Sequence, residues 1–409
     1  MSSKFRANDA TEWLLYEPDF QQFSIYFIAL LYAQKNILLA ANGQPEKLKE
    51  LHNEFEIAIV PNAILGINCW NQAIASSASK TIEPHTIDPQ QTIHFLTSGS
   101  SGAPKKITKH WRQLTSEVDC QQLLWTEQFN NTLIAASVSH QHIYGLLFKF
   151  LLPLLTGKPI YAPMIQFPEH LLRLTDYDLN IALISSPAYL TRTAFTDDIQ
   201  NAMQRLQCIF SSGGVLPTDV AKQLYIANGI SPIELYGSTE TGGIAWRQSA
   251  NSAQWTPLPG IQINNTDDQR LSIRSPFLAN KNWFMTDDLI EINDAGRFEL
   301  KGRVDRIVKL EEKRLSLNEL ESILSRFPQC KQAVATILNN KRMQLVVVIE
   351  WTEIHNSTTT NKQRIALVRD YLRGFYETVL LPRKWRFVDT IPINEQGKTT
   401  QAMLIKLFG

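Results

Sequence analysis

The sequence predicts an α/β fold with a large N-terminal domain of layered α/β subdomains with parallel sheets, and a small α+β C-terminal domain. The first observation is length: 409 residues, 44% of them hydrophobic, exceed one ordinary core and predict two domains of unequal size. The second is an alternation of patterns near the N-terminus. Helix-period apolar residues at 19–32 and 45–55 alternate with strand-like runs at 36–41 and 57–60. Such a βαβ succession predicts a parallel sheet.

Charge and cysteine usage narrow the class of protein. Forty basic residues oppose 39 acidic ones, without a basic run, so we expect no nucleic-acid partner. The four cysteines lack CxxC spacing, which argues against a zinc site and predicts a reducing, cytoplasmic location. The most apolar N-terminal segment, 23–41, is interrupted by Gln34, Lys35 and Asn36. We therefore expect no signal peptide and no membrane insertion.

The segment 96–107, Leu-Thr-Ser-Gly-Ser-Ser-Gly-Ala-Pro-Lys-Lys-Ile, follows a short apolar strand and has the composition of an anion-binding loop. Gly99 and Gly102 let backbone N–H groups turn toward one point, and Lys105 adds a positive charge. Hydroxyl donors come from Thr97, Ser98, Ser100 and Ser101. These features predict a polyphosphate site. A surface turn uses the same residue types, and the spacing is not that of a Walker loop.

Further along the chain, the pattern predicts strands that lead into polar loops. A helix at 111–130 precedes a strand at 132–138, and a buried helix at 147–155 precedes a strand at 159–162. Strands at 181–186 and 208–216 follow, the second running into Ser212, Gly213 and Gly214. Ligands of open α/β sheets bind beyond the carboxyl ends of strands. The backbone of these residues can therefore pack against a flat ring of a bound ligand.

The last hundred residues have a different pattern, which predicts the small α+β domain. Helices are expected at 317–327 and 362–379, the second ending near Pro382, with strands at 332–338 and 343–350 between them.

The segment 96–107 resembles the phosphate loop of the adenylate-forming synthetases, the superfamily of acyl-CoA ligases, peptide-synthetase adenylation domains and luciferases. Four other segments resemble motifs of that superfamily and occur in its order: 234–243, 283–288, 302–305 and 391–399. His142 also matches a His-x-x-Gly segment that borders the acyl pocket, whereas His140 is most simply a core residue. The resemblance covers essentially the whole chain.

The resemblance implies a role for each matching residue, with ATP and Mg²⁺ as cofactors. Thr239 would contact the α-phosphate, Glu240 would bind Mg²⁺, and Lys398 would be the catalytic lysine that bridges the carboxylate and the α-phosphate. His142 completes the catalytic set. The implied ATP-binding residues are Thr97, Ser98, Gly99, Ser100, Ser101, Gly102 and Lys105 for the β- and γ-phosphates, Ser212, Gly213, Gly214, Tyr236 and Gly237 for adenine, and Asp288 and Arg303 for the ribose.

The resemblance also implies a division into an abbreviated adenylation domain, 1–303, and a mobile lid domain, 304–409, that carries Lys398. Asp305 matches the hinge residue about which the lid would rotate. The sequence departs from the superfamily at Lys106, Asp287 and Glu312, which replace glycines. Glu312 stands where the glycine would line the route of the incoming thiol.

The implied activity is ATP-dependent conversion of a carboxylic acid to an acyl-adenylate, followed by transfer to a phosphopantetheine thiol. The loop 311–317 and the short N-terminal region resemble compact ligases of aryl-polyene and flexirubin-type pigment pathways. That resemblance implies an aromatic acid, such as a hydroxybenzoate or hydroxycinnamate, and an acyl carrier protein as acceptor. The alternatives are an acyl-CoA ligase for a fatty or aryl acid, a free-standing amino-acid adenylation domain, and a non-catalytic nucleotide-binding descendant.

Overall fold

A computed structural model describes residues 1–40, 43–70, 86–98, 104–193, 199–310, 313–339, 343–352, 359–376, 378–394 and 398–409. It contains extended parallel sheets flanked by helices, so the predicted α/β class is confirmed.

The first sheet carries the predicted phosphate loop at one edge. Its strands are β1 (Glu12–Leu15), β2 (Asn36–Leu39), β3 (Ile57–Ile59), β4 (Thr92–Ser98) and β5 (Pro104–His110), in the order β3-β1-β2-β4-β5. Strands β1 to β4 pair in parallel, so the predicted parallel sheet is confirmed, although β1 was not recognised in the sequence. Strand β5 pairs antiparallel with β4. The lysines expected at the end of a loop, Lys105 and Lys106, therefore lie on a strand instead.

The second sheet is the largest and forms the centre of the molecule. Its strands are β6 (Thr132–Ala136), β7 (Ile160–Met164), β8 (Asn180–Ser185), β9 (Leu206–Ser211), β10 (Ile233–Ser238), β11 (Gly242–Arg247) and β12 (Thr256–Pro257), in the order β12-β11-β10-β9-β8-β6-β7. Pairing is parallel from β7 to β10 and antiparallel from β10 to β12. Every residue of β6 is buried, because helices cover both faces of a parallel sheet.

A third sheet is antiparallel, and only one of its strands is predicted from the sequence, at 271–277, where the segment resembles a strand motif of the adenylate-forming superfamily. Its strands are β13 (Gln262–Asn265), β14 (Arg270–Arg274), β15 (Phe284–Ile292) and β16 (Phe298–Arg303), in chain order. Exposed residues are frequent in β15 and β16, as expected for a sheet with a solvated face.

The C-terminal part has its own strands and its own buried residues. The strands are β17 (Ile307–Leu310), β18 (Lys313–Ser316), β19 (Cys330–Asn339), β20 (Met343–Trp351) and β21 (Lys384–Val388). One apolar cluster uses residues between Leu315 and Trp385, and a second uses residues between Leu338 and Phe408. The boundary at 303/304 remains a prediction.

The helices are α1 (Ser2–Arg6), α2 (Phe20–Tyr32), α3 (Pro45–Glu50), α4 (Trp111–Leu124), α5 (Ile143–Gly145), α6 (Leu152–Thr156), α7 (Pro187–Thr193), α8 (Gln200–Met203), α9 (Thr218–Asn228), α10 (Leu317–Leu324), α11 (Asn361–Leu372) and α12 (Gln401–Lys406). The predicted helix at 147–155 contains a π-helical segment, Leu146–Leu151, ahead of α6. The predicted helix at 362–379 ends at Leu372, where Gly374 closes a turn onto the carbonyl of Tyr371. Glycine is a poor helix former, which accounts for the early end.

Candidate active site

The turn between β10 and β11, taken with the strand ends beside it as residues 237–243, carries three predicted site residues and has little conformational freedom. A Cβ on Gly237 would lie 2.3 Å from the carbonyl oxygen of Gly242, so only glycine fits there. Gly242 has φ +72°, in the left-handed region that favours glycine. Within the turn, the Thr241 hydroxyl accepts a hydrogen bond from the Ser238 backbone N–H at 3.0 Å. Thr239 and Glu240 are thus presented, half-buried, on a closed turn.

Glu240 contacts the first sheet through Lys105. The Lys105 ammonium donates to Oε1 of Glu240 at 3.1 Å. Burial raises the pKa of the Glu240 carboxyl, but hydrogen bonds from its own backbone N–H, from Lys105 and from Ser238 outweigh that effect and hold the pKa below its ordinary value. Glu240 is therefore ionised at neutral pH.

Lys398 brings a second positive charge into the same region from the C-terminal part. Burial lowers the pKa of Lys398, while the charge of Glu240 opposes that shift. His142, at the start of α5, is also within range of this charge: burial and then Lys398 lower its pKa to about 4. His142 is therefore neutral at pH 7. Three residues predicted from distant motifs, His142, Glu240 and Lys398, come together here.

The residues predicted to bind ribose meet on the hairpin of β15 and β16, where Asp288 and Arg303 are direct partners in the register. Their side chains lie 3.4 Å apart. The Tyr236 hydroxyl donates to the other oxygen of Asp288 at 2.6 Å. Burial, followed by the charge of Asp288, raises the pKa of Tyr236 well above its ordinary value, so the phenol stays a donor. Asp287, the replacement for a glycine, also lies 3.6 Å from Arg303.

The residues predicted near adenine lie at the carboxyl end of β9. The Ser212 hydroxyl donates to the carbonyl of Leu235 at 3.1 Å, which joins this segment to the strand that carries Tyr236. Gly213 has φ +88°, and Gly213 and Gly214 are exposed. An added Cβ on Gly213 would meet no atom within 4 Å, so open space lies beside this backbone.

The predicted phosphate loop is described only at its two ends. Gly99, Ser100, Ser101 and Gly102 lie outside the described residues, as does Glu312. The backbones of Thr97 and Ser98 end β4, where Thr97 is the register partner of Lys105. The loop is therefore anchored beside Glu240 at its C-terminal end.

Glu240 suits a magnesium ion, which takes oxygen ligands and usually uses one or two carboxylates together with substrate phosphates. Among the residues that the structure describes, no three His, Cys, Asp or Glu side chains gather into a complete metal cage. One ionised carboxylate paired with Lys105 is compatible with a Mg²⁺ ion that is bound jointly by the protein and by substrate phosphates.

Two residues behind the turn were missed in the sequence. Lys109 on β5 and Glu117 on α4 are both buried, and both hydrogen-bond the turn backbone. The alternation along β5 was the available signal, since Lys109 shares a strand face with buried Ile107. That signal depends on recognising β5 as a strand.

Comparison with known proteins agrees with this geometry. A family model described as AMP-binding enzyme matches residues 30–273, more than half of the chain. The 4-coumarate–CoA ligase of Rhodobacter capsulatus is 26% identical over 310 residues, covering 74% of this chain and 73% of the ligase. The D-alanine–D-alanyl carrier protein ligase of Staphylococcus aureus is 24% identical over 378 residues, covering 82% of this chain and 75% of that ligase.

The chain matches only a small part of one longer relative. Tyrocidine synthase 3 of Brevibacillus parabrevis is 22% identical over 90% of this chain, which spans 6% of the synthase. Among solved structures, ATP-bound MatB from Rhodopseudomonas palustris superposes with a TM-score of 0.80 at 18% identity, covering all of this chain and 91% of MatB. At that identity the likeness shows the fold, with its large N-terminal and small C-terminal domains.

Among the described residues, no helix has the length and apolar character needed to cross a bilayer.

Proposed function

The chain belongs to the AMP-binding enzyme family and is an AMP-forming acid–thiol ligase, and we propose that its acid is aromatic and that its acceptor is the phosphopantetheine thiol of an acyl carrier protein. One observation carries the proposed site: Lys105, Glu240 and Lys398, from three separate sequence motifs, converge in one region beside His142.

The first half-reaction brings two anions together. An oxygen of the substrate carboxylate attacks the α-phosphorus of ATP, the bond to the β-phosphate oxygen breaks, and pyrophosphate leaves. Lys105 and the phosphate loop would hold the β- and γ-phosphates, and Thr239 the α-phosphate. Lys398 would place its ammonium between the carboxylate and the α-phosphate, where it offsets their repulsion. Mg²⁺ held by Glu240 would neutralise charge on the phosphate oxygens.

In the second half-reaction the thiol sulfur attacks the acyl carbon, its proton is lost, and AMP leaves with the bonding electrons of the anhydride. Asp288, held by Tyr236 and Arg303, would keep the ribose in place through both steps. The lid domain would rotate about Asp305 between them, withdrawing Lys398.

The aromatic acid is proposed from the loop 311–317, which resembles that of compact ligases of aryl-polyene and flexirubin-type pigment pathways. The aromatic rings that follow His142 along the chain do not add to this argument. Phe148 is 2% exposed and its ring centroid lies 5.3 Å from that of Phe210, which is fully buried, so these rings pack the core.

ATP–pyrophosphate exchange across a panel of aryl, fatty and amino acids tests the substrate class. We expect hydroxybenzoates or hydroxycinnamates to give the highest kcat/KM. Exchange that is fastest with a fatty acid or an amino acid would replace the aryl assignment, and its absence with every acid would favour a nucleotide-binding descendant.

A separate assay tests the acceptor. Holo carrier protein should form thioester faster than free CoA, because Glu312 places negative charge in a segment that the phosphates of CoA would approach. Glu312→Gly should improve the use of CoA and leave the carrier protein reaction unchanged. Faster thioester formation with CoA in the unaltered protein would contradict the proposed acceptor.

A further inference from the structure

Lys109 is a buried lysine that binds backbone rather than a carboxylate. Its ammonium donates to the carbonyl oxygen of Glu240 at 2.8 Å and to that of Phe277 at 3.0 Å. Lys109 lies on β5 of the first sheet, Glu240 follows β10 of the second, and Phe277 follows β14 of the third. One ammonium therefore joins three sheets directly behind the residue proposed to bind Mg²⁺.

Glu117 holds the other end of the same turn. Its Oε1 accepts the backbone N–H of Gly243 at 2.7 Å. An added Cβ on Gly242 would lie 2.6 Å from its Oε2, so the turn packs directly onto the carboxylate. The Glu117 side chain is buried. A buried acceptor that is left without a donor costs about 1–3 kcal/mol, so the hydrogen bond to Gly243 is favoured.

We propose that Lys109 and Glu117 are positioning residues, which fix the backbone from Glu240 to Gly243 so that Thr239 and Glu240 keep one geometry toward the phosphates. Neither residue touches substrate in this role. The inference rests on the proposed function for its catalytic consequence, but the positioning itself is measurable without any reaction.

The consequence for catalysis follows from how closely placement controls rate. A misplacement of about 1 Å in a reacting geometry can cost about 100-fold in rate. Removing the Lys109 ammonium takes a donor from the Glu240 carbonyl, whereas the Phe277 carbonyl keeps a hydrogen bond from Gln113 at 2.7 Å. Losing the Lys109 hydrogen bonds should therefore loosen the turn rather than the third sheet.

The chain supplies a matched control in Lys149. Both lysines are almost fully buried, at 2% exposure for Lys109 and 1% for Lys149, and burial lowers the pKa of each to about 8. Lys149 lies in the π-helical segment with its ammonium 4.8 Å from the centre of the Phe20 ring, away from the turn. Lys149→Met thus removes an equally buried charge without touching residues 237–243.

The experiment compares Lys109→Met with Lys149→Met in three measurements on the full-length protein. Amide hydrogen exchange in residues 237–243 should become about tenfold faster or more in Lys109→Met and stay within about twofold in Lys149→Met. In Lys109→Met the kcat for pyrophosphate exchange should fall about 10- to 100-fold, with a higher Mg²⁺ concentration for half-maximal rate. Nucleotide-induced thermal stabilisation should become less dependent on Mg²⁺ in Lys109→Met alone.

A second pair of variants tests the hydrogen bond at the other end and serves if Lys109→Met does not fold. Glu117→Gln keeps an acceptor oxygen for Gly243, whereas Glu117→Met removes it. The proposal expects Glu117→Gln to resemble the unaltered protein and Glu117→Met to resemble Lys109→Met, and Lys109→Arg should recover part of the loss by restoring a donor.

Unchanged exchange of the 237–243 amides in Lys109→Met or Glu117→Met would overturn the proposal. Equal effects of Lys109→Met and Lys149→Met would also overturn it, because they would show a general cost of losing a buried lysine. If the unaltered protein adenylated no acid, the proposed function would fail, but the amide measurement would still decide the positioning role.

Discussion

The Glu240 turn and the Lys398 segment meet at the same site but are held in opposite ways. The turn is bound from behind by two buried side chains, Lys109 and Glu117. Lys398 is exposed as a residue, although its ammonium is covered enough for burial to lower its pKa, and its backbone N–H donates to Oδ1 of Asn394 at 2.9 Å. Its ammonium makes no hydrogen bond to any residue that the structure describes. The contrast fits the proposed mechanism. In it, the fixed turn would hold ATP and Mg²⁺, while the weakly held Lys398 would move into and out of the active site.

The largest effect should come from the fixed turn. Glu240→Gln removes the carboxylate charge that would bind Mg²⁺, so pyrophosphate exchange should fall by about 1000-fold or more. The fold should remain intact, because the Glu240 side chain is 29% exposed and its partner Lys105 is 60% exposed, where ion pairs add little stability.

Exchange rates and thermal unfolding measured over a Mg²⁺ titration check this prediction. Asp268→Asn is the control, because it removes an exposed carboxylate outside the site. A Glu240→Gln variant that exchanges pyrophosphate like the unaltered protein would mean that Glu240 does not hold the metal.

Lys398→Ala should have the next largest effect, and on only one half-reaction. Adenylation should slow about 100- to 1000-fold, by analogy with the loss of a preorganised donor at a developing charge. Supplied acyl-adenylate should still be consumed in the presence of the thiol acceptor, because the lysine is not needed once the anhydride exists. Single-turnover assays of each half-reaction separate the two, and equal losses in both would contradict a lysine that withdraws.

The same contrast explains what could be predicted from the sequence. Glu240, Asp288 and Lys398 could be proposed as site residues because each stands in a short local motif, and such a motif can be recognised without knowing its neighbours. The parallel sheet that contains β2 and β3 followed from an equally local βαβ pattern, whereas β1, which lies between them, was not predicted.

Residues that act through long-range contacts could not be found this way. Lys109 and Phe277 are 168 positions apart, and Lys109 and Glu240 are 131 apart. No local pattern links them, and a single lysine in a polar segment is ordinarily a solvated side chain. The third sheet was largely missed for a similar reason, since its half-exposed strands lack the continuous apolar runs of β6 and β8.

A smaller effect should follow from a change in the fixed region that leaves the catalytic charges in place. Tyr236→Phe removes the hydrogen bond that holds Asp288, and a hydrogen bond to a charged group contributes about 1.5–3 kcal/mol, so the KM for ATP should rise about tenfold. Because ribose binding is common to ground state and transition state, kcat should stay near that of the unaltered protein. Steady-state exchange kinetics at varied ATP check this, and a fall in kcat with unchanged KM would place Tyr236 in the chemical step instead.

The smallest expected effect reports directly on whether the exposed lysine sits where the structure places it. His142 belongs to the large N-terminal part, and its pKa is lowered to about 4 chiefly by burial and secondarily by the charge of Lys398. Removing that charge in Lys398→Ala favours the imidazolium, so the pKa of His142 should rise, yet stay below its ordinary value of 6.5 because burial remains. Histidine NMR titration measures this, with His142→Gln to identify the signal among eight histidines. His140 is the internal reference: burial also lowers its pKa to about 4, but the charges that act on it are those of Lys149, Asp19 and His142. A His142 pKa that does not move would show that Lys398 spends its time elsewhere in the free protein. In that case, binding of ATP and the acid would be needed to bring Lys398 to the fixed turn.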